Sequence, residues 1–175
     1  MTNIIFLDID GVLLPFKMAH PKPNFLEEHP LEVLLPPEHI DLVNKLAKEN
    51  NAEIVVSSSW RLHDDSLVFN KLTKDYKPFD LRSFLKRSGL TASFANDWHT
   101  PRGERFSEIV NGMVRGVEIY RWLQEHPEIE NWVSLDDDSS GFSDMNIRNH
   151  LAKTDPYKGF TEDDYKIANL ILKGV

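Results

Sequence analysis

The sequence contains no cysteine. That removes disulfides, thiolate catalysis and cysteine-ligated zinc, although it does not fix a compartment. No run approaches the ~20 apolar residues that a membrane span requires. The N-terminus has no basic region, and Asp8 and Asp10 interrupt its apolar run, so it does not read as a signal peptide. Positive charge is scarce: 20 Lys plus Arg stand against 28 Asp plus Glu, a net charge of −8. Such a chain repels a phosphate backbone at long range, which disfavours non-specific nucleic-acid binding but leaves room for a local basic groove. The seven histidines are dispersed, with no pair at metal-ligand spacing, and none is assigned to catalysis. There are no internal repeats and no low-complexity linker. The expectation is a single domain over 1–175, soluble and cytoplasmic, large enough for a real core.

What is present is organised around Ile4 to Leu14. Ile4-Ile5-Phe6-Leu7 runs straight into Asp8-Ile9-Asp10-Gly11. A short continuous apolar run reads as a central strand of a parallel sheet, buried on both faces. Ligand sites in open α/β sheets lie beyond the carboxyl ends of such strands. Two carboxylates there are costly unless a metal or a cation partners them. Gly11 allows a sharp turn.

The region 15–37 carries Pro15, Pro21, Pro23, Pro30, Pro36 and Pro37, which rule out a long regular element. It reads as an ordered loop with one helical turn near Phe25 to His29, either a surface connection or a small flap over the site. A helix is expected from Pro37 to Asn50, then a buried strand from Glu53 ending in Ser57-Ser58-Ser59-Trp60. Serines there suit a turn or a helix cap. Strand–helix–strand order nevertheless puts them on the same side of the sheet as Asp8 and Asp10, where hydroxyls can donate to a phosphoryl oxygen. Two helical segments are expected at Asp64 to Lys77 and Phe79 to Ser88, broken at Pro78. A strand is expected from Leu90 to Ala95, followed by a polar loop in which Asp97, Trp98 and His99 could touch a substrate. The polar stretch 103–112 reads as mobile.

Arg115 to His126 has the clearest amphipathic pattern. A cation at a helix start opposes the helix dipole, so Arg115 is either an exposed arginine before the helix or a partner for a facing anion. A further strand, Trp132 to Leu135, ends in Asp136-Asp137-Asp138. That run is either a solvated acidic turn or a cation site. Oxygen-only donors suit magnesium. His150 to Thr154 is a short last strand, and Thr161 followed by Asp164 is a near capping box opening the final helix, which runs to about Leu172.

Asp8-Ile9-Asp10-Gly11-Val12-Leu13 resembles the first motif of the haloacid dehalogenase-like (HAD) phosphohydrolases. Ser57-Ser58-Ser59-Trp60-Arg61 is similar to the second, and its tryptophan resembles a small, capless subgroup associated with RNA-repair-like proteins. Arg115 matches the third motif, with Arg102 and Arg105 as competitors. Asp136-Asp137 looks like the fourth. The resemblance implies an α/β, Rossmann-like fold with a central parallel sheet, helices on both faces and no large cap domain. It also implies a magnesium-dependent phosphatase working through an aspartyl-phosphate. Asp8 would be the nucleophile and Asp10 the acid and base. Arg115 and Ser58, or alternatively Ser57, would hold the phosphoryl group. Mg2+ would be held by Asp8, the Asp10 carbonyl and Asp137, with Asp136 behind them and Asp144 a weaker candidate. Trp60 is read as packing. The expected substrate is a nucleotide or another phosphomonoester. The alternatives are a polynucleotide 3′-phosphate end and a non-catalytic phosphate- or metal-binding module.

Overall fold

The computed structural model describes residues 2–16, 35–63, 67–70, 75–101, 114–139, 142 and 145–175. Its centre is strand β1 (Asn3–Leu7), whose Ile4, Ile5, Phe6 and Leu7 are all buried. β1 is flanked in parallel by β2 (Ala52–Val56) and β6 (Trp132–Asp136). β5 (Phe94–His99) and β7 (Leu151–Lys153) extend the sheet, also in parallel, giving the order β5-β2-β1-β6-β7. A strand covered on both sides has no polar face, which is why β1 reads as an unbroken apolar run.

The two faces of the sheet carry separate apolar clusters. Ile5, Leu7, Ile54, Val56, Val133 and Leu135 face helices α1 (Pro37–Asn50) and α5 (Glu162–Leu172). Ile4, Phe6, Val55 and Trp132 face Ile119 and Trp122 of α3 (Val114–Glu125) and Ile147 of the short α4 (Met145–Arg148). Phe6 meets the rings of Trp122 and Trp132 edge-on, at centroid distances of 5.4 and 5.5 Å. Helices on both faces of a parallel sheet make the fold the Rossmann-like α/β arrangement expected from the sequence.

Local chemistry sets the element ends. Pro37 occupies the first turn of α1, where its missing N–H is no loss, and Asn51 closes the helix at φ 48°. Thr161 and Asp164 form a full capping box at the start of α5.

Three expectations change. The region 64–77 is not a single helix: its described parts, β3 (Leu67–Asn70) and β4 (Asp75–Pro78), form an antiparallel pair. Leu-Val-Phe and Asp-Tyr-Lys are too short to show a period, and cross-strand pairing decides their conformation. The helical segment after Pro78 is present as α2 (Leu81–Arg87), capped by Asp80, whose side chain accepts from the Ser83 amide. The following strand starts later than Leu90. Gly89 turns at φ 109°, Leu90 is buried, and β5 begins only at Phe94. Asn96 to His99, expected as loop, are strand. β5 lies at the sheet edge, with an irregular register against β2, so its polar residues keep access to water. Within the proposed flap over 15–37, residues 17–34 lie outside the described residues, as do the stretch 103–112, Arg102, Arg105 and Asp144. Among the described residues no helix is long and apolar enough to cross a membrane.

Candidate active site

The paired register ends with Leu7 level with Val56 on one side and Leu135 on the other. Hydrogen bonding continues for one more residue: the Asp8 amide donates to the Leu135 carbonyl (3.1 Å), and the Ser57 amide donates to the Leu7 carbonyl (3.0 Å). Asp8, Ser57 and Asp136 therefore share one level at the carboxyl edge of the sheet. Side chains alternate along a strand. Leu7, Val56 and Leu135 point toward α1 and α5, so the next three point toward the face covered by α3.

Helix α3 brings Arg115 to that place. Arg115 Nη1 pairs with Asp8 Oδ2 and also with Asp136 Oδ2, the latter at 2.7 Å. One guanidinium thus joins the ends of β1 and β6. Asp8 Oδ1 accepts from the Ile9 amide at 2.8 Å, and Asp136 Oδ1 accepts from the Asp138 amide at 3.0 Å. Asp136 is fully buried. Burial and then the Asp8 charge push its carboxyl above the ordinary carboxylate range, with Arg115 opposing the shift. Asp137 is raised for the same first two reasons. Burial alone would lower the Arg115 pKa, but Asp8 and Asp136 outweigh it and hold the guanidinium charged.

Asp8, Asp136 and Asp137 each offer a carboxylate oxygen, and the three oxygens lie within 4.8 Å of one another. Three acids gather beside one guanidinium, which pairs with Asp8 and Asp136, and two of the three have raised pKa values. Such a group gains from a second positive charge, and an all-oxygen donor set suits a hard divalent ion.

Gly11 shapes the turn beyond Asp8. Its φ is +71°, and a Cβ there would lie 2.5 Å from Asp137 Cγ. Glycine is needed for both reasons. The Ile9 carbonyl accepts from the amides of Leu13 (2.9 Å) and Leu14 (2.8 Å), while Thr154 Oγ1 donates to the Gly11 carbonyl at 2.8 Å. These bonds fix Asp10, which is half-buried, beside the cluster. Asp10 Oδ2 accepts from Trp60 Nε1 at 3.0 Å.

The serines differ. Both Ser57 and Ser58 are fully buried. Ser58 Oγ accepts from the Trp60 amide at 3.4 Å. Among the described residues Ser57 Oγ has no hydrogen-bond partner, a condition shared by the buried hydroxyls of Thr100 and Ser134.

Sequence reasoning missed two things. Trp60 does pack, against Phe79 and Phe84, but it also bonds Asp10. The signal was available, because a buried indole N–H needs an acceptor. The second is Arg61, a buried clamp. Its guanidinium donates to the carbonyls of Ser57 and Ser58 (2.7 Å each) and Thr100 (3.1 Å), and pairs with Glu118 at 2.6 Å. No local pattern marks such a long-range pair. Of the three suggested substrate contacts, Asp97 pairs with His126, Trp98 packs on Phe94 beneath Arg82, and His99 Nδ1 lies 3.0 Å from the Thr100 carbonyl.

A parallel α/β sheet whose central strand ends in Asp-x-Asp-Gly, with an arginine and two further aspartates gathered at the same edge, defines a HAD-type domain. The chain belongs to the family described as the HAD domain in Swiss Army Knife RNA repair proteins, whose model matches residues 4–165. No curated protein and no solved structure matches the chain.

Proposed function

We propose that the chain is a magnesium-dependent phosphomonoester hydrolase that works through an aspartyl-phosphate on Asp8. The observation that carries this reading is the meeting of Asp8, Asp136, Asp137 and Arg115 at the carboxyl edge, with Asp10 two residues beyond Asp8. Asp8, Asp137 and the Asp10 carbonyl would hold the ion, with Asp136 supporting them. When bound, magnesium offsets negative charge between the nucleophile and the phosphoryl group.

An Asp8 oxygen attacks phosphorus, and the bond to the leaving oxygen breaks. Asp10 gives that oxygen its proton. Asp10, now a carboxylate, takes a proton from water as the water oxygen attacks phosphorus, and the bond to Asp8 breaks. Arg115 and a serine hydroxyl hold the non-bridging phosphoryl oxygens. The unpartnered, buried Ser57 hydroxyl, level with Asp8, supports Ser57 in that role over Ser58.

The substrate class is a nucleotide or another phosphomonoester. The family description favours a second reading, a phosphate at an RNA end. The experiment is release of inorganic phosphate, with magnesium and with chelator, from 4-nitrophenyl phosphate, free nucleotides and single-stranded RNA bearing a 3′-phosphate. Magnesium-dependent release supports the phosphatase, and faster release from the RNA end than from nucleotides selects the repair reading. Metal binding with no release from any substrate would favour a non-catalytic module.

A further inference from the structure

We infer that Trp60 is the positioning residue for Asp10, fixing which of its carboxyl oxygens exchanges the proton. The inference rests on the phosphatase reading above.

Trp60 is 6% exposed and belongs to the apolar cluster beneath the sheet. Phe84 lies 5.6 Å and Phe79 6.5 Å from its ring, centroid to centroid. Packing therefore sets where the indole sits. The adjoining backbone is equally constrained, because the Trp60 amide donates to Ser58 Oγ and the next residue is the buried Arg61 clamp. From that fixed base the ring presents its N–H to Asp10 Oδ2 at 3.0 Å.

The chemistry of the donor gives the arrangement its consequence. An indole N–H donates and cannot accept. It cannot exchange roles when Asp10 gains or loses a proton, as a hydroxyl, an amide or an imidazole could. The terminal torsion of an aspartate is broad and roughly two-fold, so without a partner its two oxygens would interchange. The indole N–H holds Oδ2 and so disfavours that interchange. A carboxyl hydroxyl is also a poorer acceptor than its carbonyl oxygen, so an Asp10 that keeps accepting at Oδ2 carries its proton on Oδ1. Oδ1 then gives its proton to the leaving oxygen and takes one from the water that attacks phosphorus, while the bond to Asp8 breaks.

The test is Trp60→Phe, which keeps an aromatic ring on Phe79 and Phe84 and removes the N–H. With 4-nitrophenyl phosphate and magnesium, the leaving group needs little protonation. Formation of the phospho-enzyme, read by kcat/KM, stays within about twofold. Its hydrolysis needs Asp10, so kcat falls roughly tenfold or more, KM falls with it, and acid-quenched phospho-enzyme accumulates. With an alkyl phosphate, whose leaving oxygen must be protonated, kcat/KM falls as well. A tryptophan that only packs would lower kcat and kcat/KM together on the aryl phosphate, or leave both unchanged, and either result overturns the inference. A direct readout needs no turnover. The Trp60 indole 1H–15N signal, assigned by its loss in Trp60→Phe, shifts in Asp10→Ala, and an unmoved signal overturns the inference. If the wild type turns over neither substrate, the phosphatase reading fails and takes the inference with it. An active wild type with an unaltered Trp60→Phe overturns the inference alone.

Discussion

Arg61 and Glu118 form an ion pair 2.6 Å long in which both side chains are about 5% exposed or less. It ties the exit of β2, with its serines, to helix α3. Glu118 lies one turn along that helix from Arg115, so the pair sets the distance between the serine loop and the guanidinium that bridges Asp8 and Asp136. Burial lowers the Arg61 pKa, and Glu118 counters that effect.

Removing Glu118 leaves Arg61 charged and buried without its carboxylate. Glu118→Ala is expected to cost about 3–5 kcal/mol, read by denaturant unfolding. Replacing both partners by methionine is expected to recover only part of that loss: no charge remains buried, but the carbonyls of Ser57, Ser58 and Thr100 lose the Arg61 donors. A Glu118→Ala variant as stable as the wild type would show that the pair is not what holds the loop to α3.

How far the sequence revealed this site depends on how local each signal was. Ile4 to Leu7 declared a doubly buried strand by having no polar face. Asp8, Asp136-Asp137 and Arg115 were findable because each lies next to an element end, and parallel strand ends share one side of the sheet. The choice between Ser57 and Ser58 could not be read in that way. It depends on which residue ends the paired register, and a slip of one residue reverses the face. Arg61–Glu118 and Trp60–Asp10 join positions 57 and 50 residues apart, beyond the reach of any periodicity. The β3–β4 pair was misread as helix because four-residue strands carry too little pattern.

The three-acid cluster predicts linkage between metal and stability. Magnesium at about 100 times its dissociation constant is expected to stabilise the fold by about 2.7 kcal/mol. Thermal unfolding with magnesium and with chelator measures this. Asp137→Asn is expected to reduce the shift strongly. An unchanged midpoint in the wild type would count against an ion among Asp8, Asp136 and Asp137.

Gly11 carries two constraints at once, a positive φ and the closeness of Asp137. Gly11→Ala is expected to destabilise the protein by about 1–3 kcal/mol, and to weaken magnesium binding by displacing Asp137. Calorimetric titration alongside unfolding separates the two effects. A variant with wild-type affinity would show that Asp137 does not need the space beside Gly11.

The measurement that most directly tests the account is acid quenching of the protein during turnover of an aryl phosphate with magnesium, followed by mass spectrometry of its peptides. The account predicts a phosphoryl group on Asp8, absent in Asp8→Asn together with phosphate release. Phosphate release that persists in Asp8→Asn, or a phosphoryl group on a different residue, would contradict it.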